Sequence, residues 1–169
     1  MTKGLARSLA NAPKDQPSVR RVSIPMRALA VAITDPGAAV GYGTAVIAGL
    51  PEGNILLLGA VANVMLSSAS AGITATFTAN FAVGTAATAD ATLSGNEVNV
   101  IPSTATSAAT AKVSPVTRGA QATAVMLDNT DSSLKLNMNI TVPDASLSAN
   151  SSISVDGVLH LAYVLLGDD

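Results

Sequence analysis

The one histidine of this 169-residue chain, His160, is its natural acid–base candidate. In the run Val158–Leu166 it shares a strand face with Val158, Ala162 and Val164, opposite Leu159, Leu161 and Tyr163. Catalysis there would need an activated serine or water and an orienting carboxylate. Serines are plentiful, but the Gly-x-Ser-x-Gly elbow is absent, so a structural or interface histidine is expected. Asp128-Asn129-Thr130-Asp131 offers the oxygens a hard cation takes. It lacks the EF-hand spacing and glycine, and reads as an Asx-rich turn. Gly41-Tyr42-Gly43 lacks the third glycine and following helix of a dinucleotide fingerprint. Glu52, in a turn, and Glu97, at a strand start, are the only glutamates, so no carboxylate pair for glycosidic chemistry stands out. The chain has no cysteine, which excludes disulfides and thiolate metal sites. The sequons at Asn139 and Asn150 carry little meaning without a signal peptide. A protein without catalytic residues, cofactor or metal is expected.

The elements that would position these residues are strands. From Gly72 to Val83, Ile73, Ala75, Phe77, Ala79, Phe81 and Val83 alternate with Thr74, Thr76, Thr78 and Asn80. That pattern predicts a strand with an apolar inner and a hydroxyl-rich outer face. Phe77 and Phe81 are the only phenylalanines and are expected to anchor the core. Ser133 to Val142 alternates as well, with Leu134, Leu136, Met138, Ile140 and Val142 inward and Lys135, Asn137, Asn139 and Thr141 outward. Further strands are expected over 27–33, 38–48, 55–66, 84–94, 97–101 and 124–127. Gly41 and Gly43 mark a bulge or a close backbone approach. Residues 102–123 read as a long surface loop with at most one short strand. Asp156-Gly157, between 152–155 and 158–166, predicts a hairpin turn. Eight to ten strands with such turn spacing predict an all-β, two-sheet β-sandwich of jelly-roll type.

Charge divides the chain. Residues 1–27 hold Lys3, Arg7, Lys14, Arg20, Arg21 and Arg27 against Asp15, a net +5, whereas the remaining 142 residues carry three basic and ten acidic side chains, a net −7. Residues 1–25, with Pro13, Pro17 and Pro25, read as an extended basic arm, and 26–169 as the sandwich. The arm could neutralise phosphates, but it has no aromatic residue to stack on bases. A protein partner is therefore expected over nucleic acid, and the six cations are assigned to contacts with another protein or another copy. No secretory signal or membrane-spanning run is present, so a soluble protein made in the cytoplasm, with no membrane partner, is expected.

The segment FAVGTAATADATLSGNEVNVIPSTATSAA (Phe81–Ala109), followed by a strand-rich C-terminus ending DGVLHLAYVLLGDD (Asp156–Asp169), resembles the decoration or cement proteins of tailed-bacteriophage heads. The resemblance covers about half the chain and transfers no catalytic residue. It implies a jelly-roll-like sandwich bound in many copies to the outside of a capsid, on the virion surface after synthesis in the bacterial host cytoplasm. Its partners would be the major capsid protein, whose subunits it bridges, and copies of itself, with a homotrimer favoured over a homodimer. The alternative is a receptor- or glycan-binding sandwich of a phage head or tail.

Overall fold

The structure, a computed structural model, describes residues 18–167. Lys3, Arg7 and Lys14 lie outside that range, so their expected contacts fall outside the described residues. Nine strands run in chain order: β1 Arg20–Ile33, β2 Gly41–Gly49, β3 Gly53–Ser67, β4 Asn80–Gly84, β5 Ile101–Ala105, β6 Thr117–Ala120, β7 Val125–Asn129, β8 Lys135–Val142 and β9 Ser151–Gly167. They form two antiparallel sheets, ordered β1-β9-β3-β6, with β7 also on β3, and β2-β8-β4-β5. The pairs nest: β1 with β9, β2 with β8, β3 with β6 and β7, β4 with β5. A chain folded once into a long hairpin and then rolled gives this nesting, which is the jelly roll.

The core lies between the two sheets. β3 sends Ile55, Leu57, Ala60, Ala62, Val64 and Leu66 inward, and β9 sends Ile153, Val155, Leu159 and Leu161. From the other sheet come Phe81 on β4 and Leu136, Met138 and Ile140 on β8; with Phe77 they are the five expected core anchors, and all are fully buried. Gly43 is a close approach: a Cβ there would sit 2.0 Å from the Ala32 carbonyl oxygen, so the glycine lets β2 cross against β1.

Several elements depart from the sequence reading. Regular pairing in the Gly72–Val83 stretch begins only at Asn80. Before that, the carbonyls of Ala75, Phe77 and Ala79 accept from the N–H groups of Lys112, Ala109 and Thr106. Acceptors every second residue meet donors every third, so no ladder forms. The apolar side chains still turn inward, except that of Ala75, which is exposed.

The expected hairpin at Asp156-Gly157 does not exist, and β9 runs straight through it for 17 residues. These two residues serve the neighbouring strands instead. β1 bulges between Met26 and Leu29, opposite them. The Asp156 carboxylate accepts from the Ala28 N–H at 2.9 Å, a donor the bulge takes out of the ladder. Gly157 faces β3, where a Cβ would lie 2.0 Å from the Asn63 carbonyl oxygen. Here the glycine serves backbone approach rather than a turn.

Residues 85–94 form no strand, and Glu97, expected to start one, ends the 3-10 turn Gly95–Glu97. The presumed loop 102–123 contains most of β5 and all of β6. The sandwich also begins earlier than expected. Arg20 to Pro25, assigned to the arm, are strand residues paired with Val158–Tyr163 of β9.

Candidate functional site

The outer faces of the two sheets are treated differently. On the β2-β8-β4-β5 sheet, the polar row of β8 expected to face solvent is buried: Asn137, Asn139 and Thr141 are each at most 6 % exposed, and the segment from Ala86 to Glu97 crosses over Asn139. Asn139 explains why. Its Oδ1 accepts from the Thr44 hydroxyl at 2.8 Å and the Thr88 N–H at 3.0 Å, and its Nδ2 donates to the carbonyls of Ala86 and Glu97, both at 2.9 Å. One amide thus satisfies the strand below and the covering segment above, as burial of polar groups demands.

The outer face of the β1-β9-β3-β6 sheet stays exposed or half-buried apart from Val164, which is buried. Cross-strand register places Ser23, His160 and Val61 in one row, and Ala162 beside Gly59 in the next. Between these rows lies a shallow groove of about 430 Å³ lined by Gly59, Val61, His160 and Ala162. Its polar rim is Arg21, Ser23, His160 and Gln121. A bulge in β3 between Leu57 and Gly59 turns Leu58 outward beside the groove, 43 % exposed. Half-buried Leu56 and exposed Met126, paired with each other, continue this apolar ridge.

His160 therefore points out of the sandwich, and the Ser23 hydroxyl lies 2.8 Å from its Nδ1. The sequence reading did not single out Ser23, because the 137 residues separating the pair are bridged only by β1–β9 pairing. A serine beside a histidine resembles half a hydrolytic triad, yet the other parts are missing from the groove. Among the described residues, its lining contains no Asp or Glu to orient the imidazole. Ser23 sits within a paired strand, where backbone N–H groups are committed to the ladder rather than converging on an oxyanion.

The remaining candidates separate. Arg20 and Arg21 are exposed on β1, and Arg27 is exposed at its bulge. The Asp128–Asp131 cluster is a turn held by its own oxygens. Asp128 accepts from the Thr130 hydroxyl at 2.8 Å and N–H at 3.1 Å, and Asp131 from the Ser133 N–H at 3.0 Å. Thr130, through its hydroxyl first and its N–H second, holds the Asp128 carboxyl below its ordinary range, and Ser133 does the same for Asp131. Buried Asn129 locks the turn, donating to the carbonyls of Leu50 and Pro51 and accepting from the Leu134 N–H. Among the described residues, no group of three or more His, Asp or Glu side chains is placed to hold a metal ion, and no helix is long and apolar enough to cross a membrane.

No family model and no curated protein matches the chain. Among solved structures, it is similar to the infectious bursal disease virus VP2 subviral particle at 12% identity and a TM-score of 0.39, over 88% of this chain and 33% of that one. A structure of the Gx strain of the same virus gives 12% and 0.31, over 88% and 32%. A family two carbohydrate esterase from Cellvibrio japonicus gives 8% and 0.26, over 91% and 36%. The chain spans about a third of the length of these solved chains. The jelly-roll assignment rests on the nested strand pairing rather than on these likenesses.

Proposed function

We propose that this protein is a structural, non-catalytic component of a phage virion, decorating the outside of the head and stabilising it by bridging neighbouring major capsid protein subunits. One observation carries the reading. The chain covers one sheet with its own polar segment and leaves the other presenting a broad surface of Leu, Val, Met, Ala and Gly without converging charged groups. Such a face is built for contact with another protein rather than for turnover of a small molecule. The sequence resemblance to head decoration proteins supplies the class of partner. Binding that is confined to the assembled shell stabilises that shell by mass action, and repetition over a closed surface multiplies modest individual contacts. The basic residues of 1–27 then add contacts to an adjacent copy or the shell beneath. A glycan-binding role gains no support from the groove, whose lining includes none of the four aromatic residues.

The test mixes purified protein with undecorated heads, images the particles and measures their survival on heating. Regular added density and survival at higher temperature are expected. Heads that stay bare at saturating protein overturn the proposal.

A further inference from the structure

We infer that the outer face of the β1-β9-β3-β6 sheet is where a second copy of this chain docks, the ridge at Leu58 of each copy entering the hollow at Gly59 of the other. Two observations lead there independently of the capsid reading.

The first is Gly59 itself. Its backbone has no positive φ, and a Cβ built on it meets nothing within 4 Å. Gly43 and Gly157 are glycines because neighbouring backbone leaves no room; among the described residues nothing gives Gly59 such a cause. A strand glycine weakens its strand and often marks where another molecule comes close. The second is Leu58. The β3 bulge places two successive residues on the outer side, one a leucine with 43 % of its surface in solvent and the other that glycine. Bulges re-aim side chains, and this one sets a knob directly beside a hole. A knob and a hole on one flat face are both satisfied at once by a two-fold axis, where each copy gives what the other receives.

The area fits. At ~3.3 Å per residue and ~4.8 Å between strands, the four-strand width along β9 presents roughly 800 Å², about what each partner buries in a standard stable interface. Arg21 and Arg118 lie on the two edge strands, where charge belongs at an interface rim. The geometry makes the elementary unit a dimer, whereas the sequence resemblance favoured a trimer.

Analytical ultracentrifugation of the full-length chain across a wide concentration range tests this, comparing wild type, Leu58→Arg and Gly59→Leu. Wild type is expected at twice the 16.8 kDa chain mass. Leu58→Arg, which puts a charge on the knob, and Gly59→Leu, which fills the hole, should each weaken association at least ten-fold. Far-ultraviolet circular dichroism should stay unchanged, because neither side chain enters the core. A wild type that is monomeric at every concentration overturns the inference, as does an oligomer equally stable in both variants. Variants that keep the wild-type mass but lose binding to undecorated heads would show the shell protein on this face instead. A monomer with Met126 shielded from peroxide would show the chain's own first residues there. Either result sinks the second-copy assignment. A dimer broken by both variants that nevertheless ignores heads upholds it and removes only the capsid role.

Discussion

The two outer faces of this sandwich solve one problem in opposite ways. Every sheet presents two sides, and only one of them can line the core. On the β2-β8-β4-β5 sheet the second side is sealed by residues 84–100, pinned through Asn139. On the β1-β9-β3-β6 sheet it is left open and furnished with Leu56, Leu58 and Met126 rather than lysines and glutamates. The contrast puts stability on one side and, in the proposed function, association on the other. Substitutions at the sealed face should unfold the protein, whereas those at the open face should leave the fold intact and alter its company.

The largest effects belong to the sealed side and the core it backs. Phe81→Ala should cost about 3–5 kcal/mol in chemical denaturation, since it empties a fully buried aromatic site. Asn139→Ala should cost about 3 kcal/mol by the same measurement, because the carbonyls of Ala86 and Glu97 and the Thr88 N–H lose their partner beneath the covering segment. It should also speed hydrogen exchange across residues 84–100 ahead of global unfolding. If Asn139→Ala proved as mild as a surface change, the sealed face would not be held as described.

On the open side, His160→Ala should shift stability by no more than about 0.5 kcal/mol, as an exposed residue with one hydroxyl neighbour. A loss of several kcal/mol would give the Ser23–His160 pair a role in the fold that its position does not predict. The smallest effect concerns neither face. Asp128 and Asp131 titrate below their ordinary value when folded. Their stabilising contribution is therefore present above the unfolded pKa of about 3.9 and fades as pH falls through the lower folded values. Replacing Thr130 by Val should move the Asp128 midpoint, followed by carboxyl carbon NMR, upward toward 3.8. No movement would remove the Thr130 hydroxyl as the cause.

Much of the sandwich can be read from alternation alone. The inward row of β8 and the burial of both phenylalanines follow from period-two patterning, which depends only on strand geometry. What alternation cannot tell is what lies over the other side. Asn137, Asn139 and Thr141 look like solvent-facing residues because a polar row is the same string whether water or a hydrogen-bonding segment covers it. Asp156-Gly157 reads as a turn because its local chemistry favours one; the β1 bulge and the Asn63 carbonyl, more than ninety residues away in sequence, claim the same two residues for a straight strand. Ser23 met His160 through pairing of the first strand with the last, a contact that no local pattern announces. Leu58 and Gly59 sit in a run apolar enough to be taken wholly as core, and only the bulge reveals that the pair faces outward.

Peroxide footprinting asks the decisive question through the methionines. Met126, 56 % exposed, sits on the open ridge, whereas Met138 is fully buried in the core. In dilute protein Met126 should oxidise readily and Met138 slowly. In concentrated or head-bound protein the Met126 rate should fall several-fold while Met138 stays as it was. A Met126 that oxidises equally fast in every state would mean that nothing covers the open face, and the association role assigned to it would be wrong.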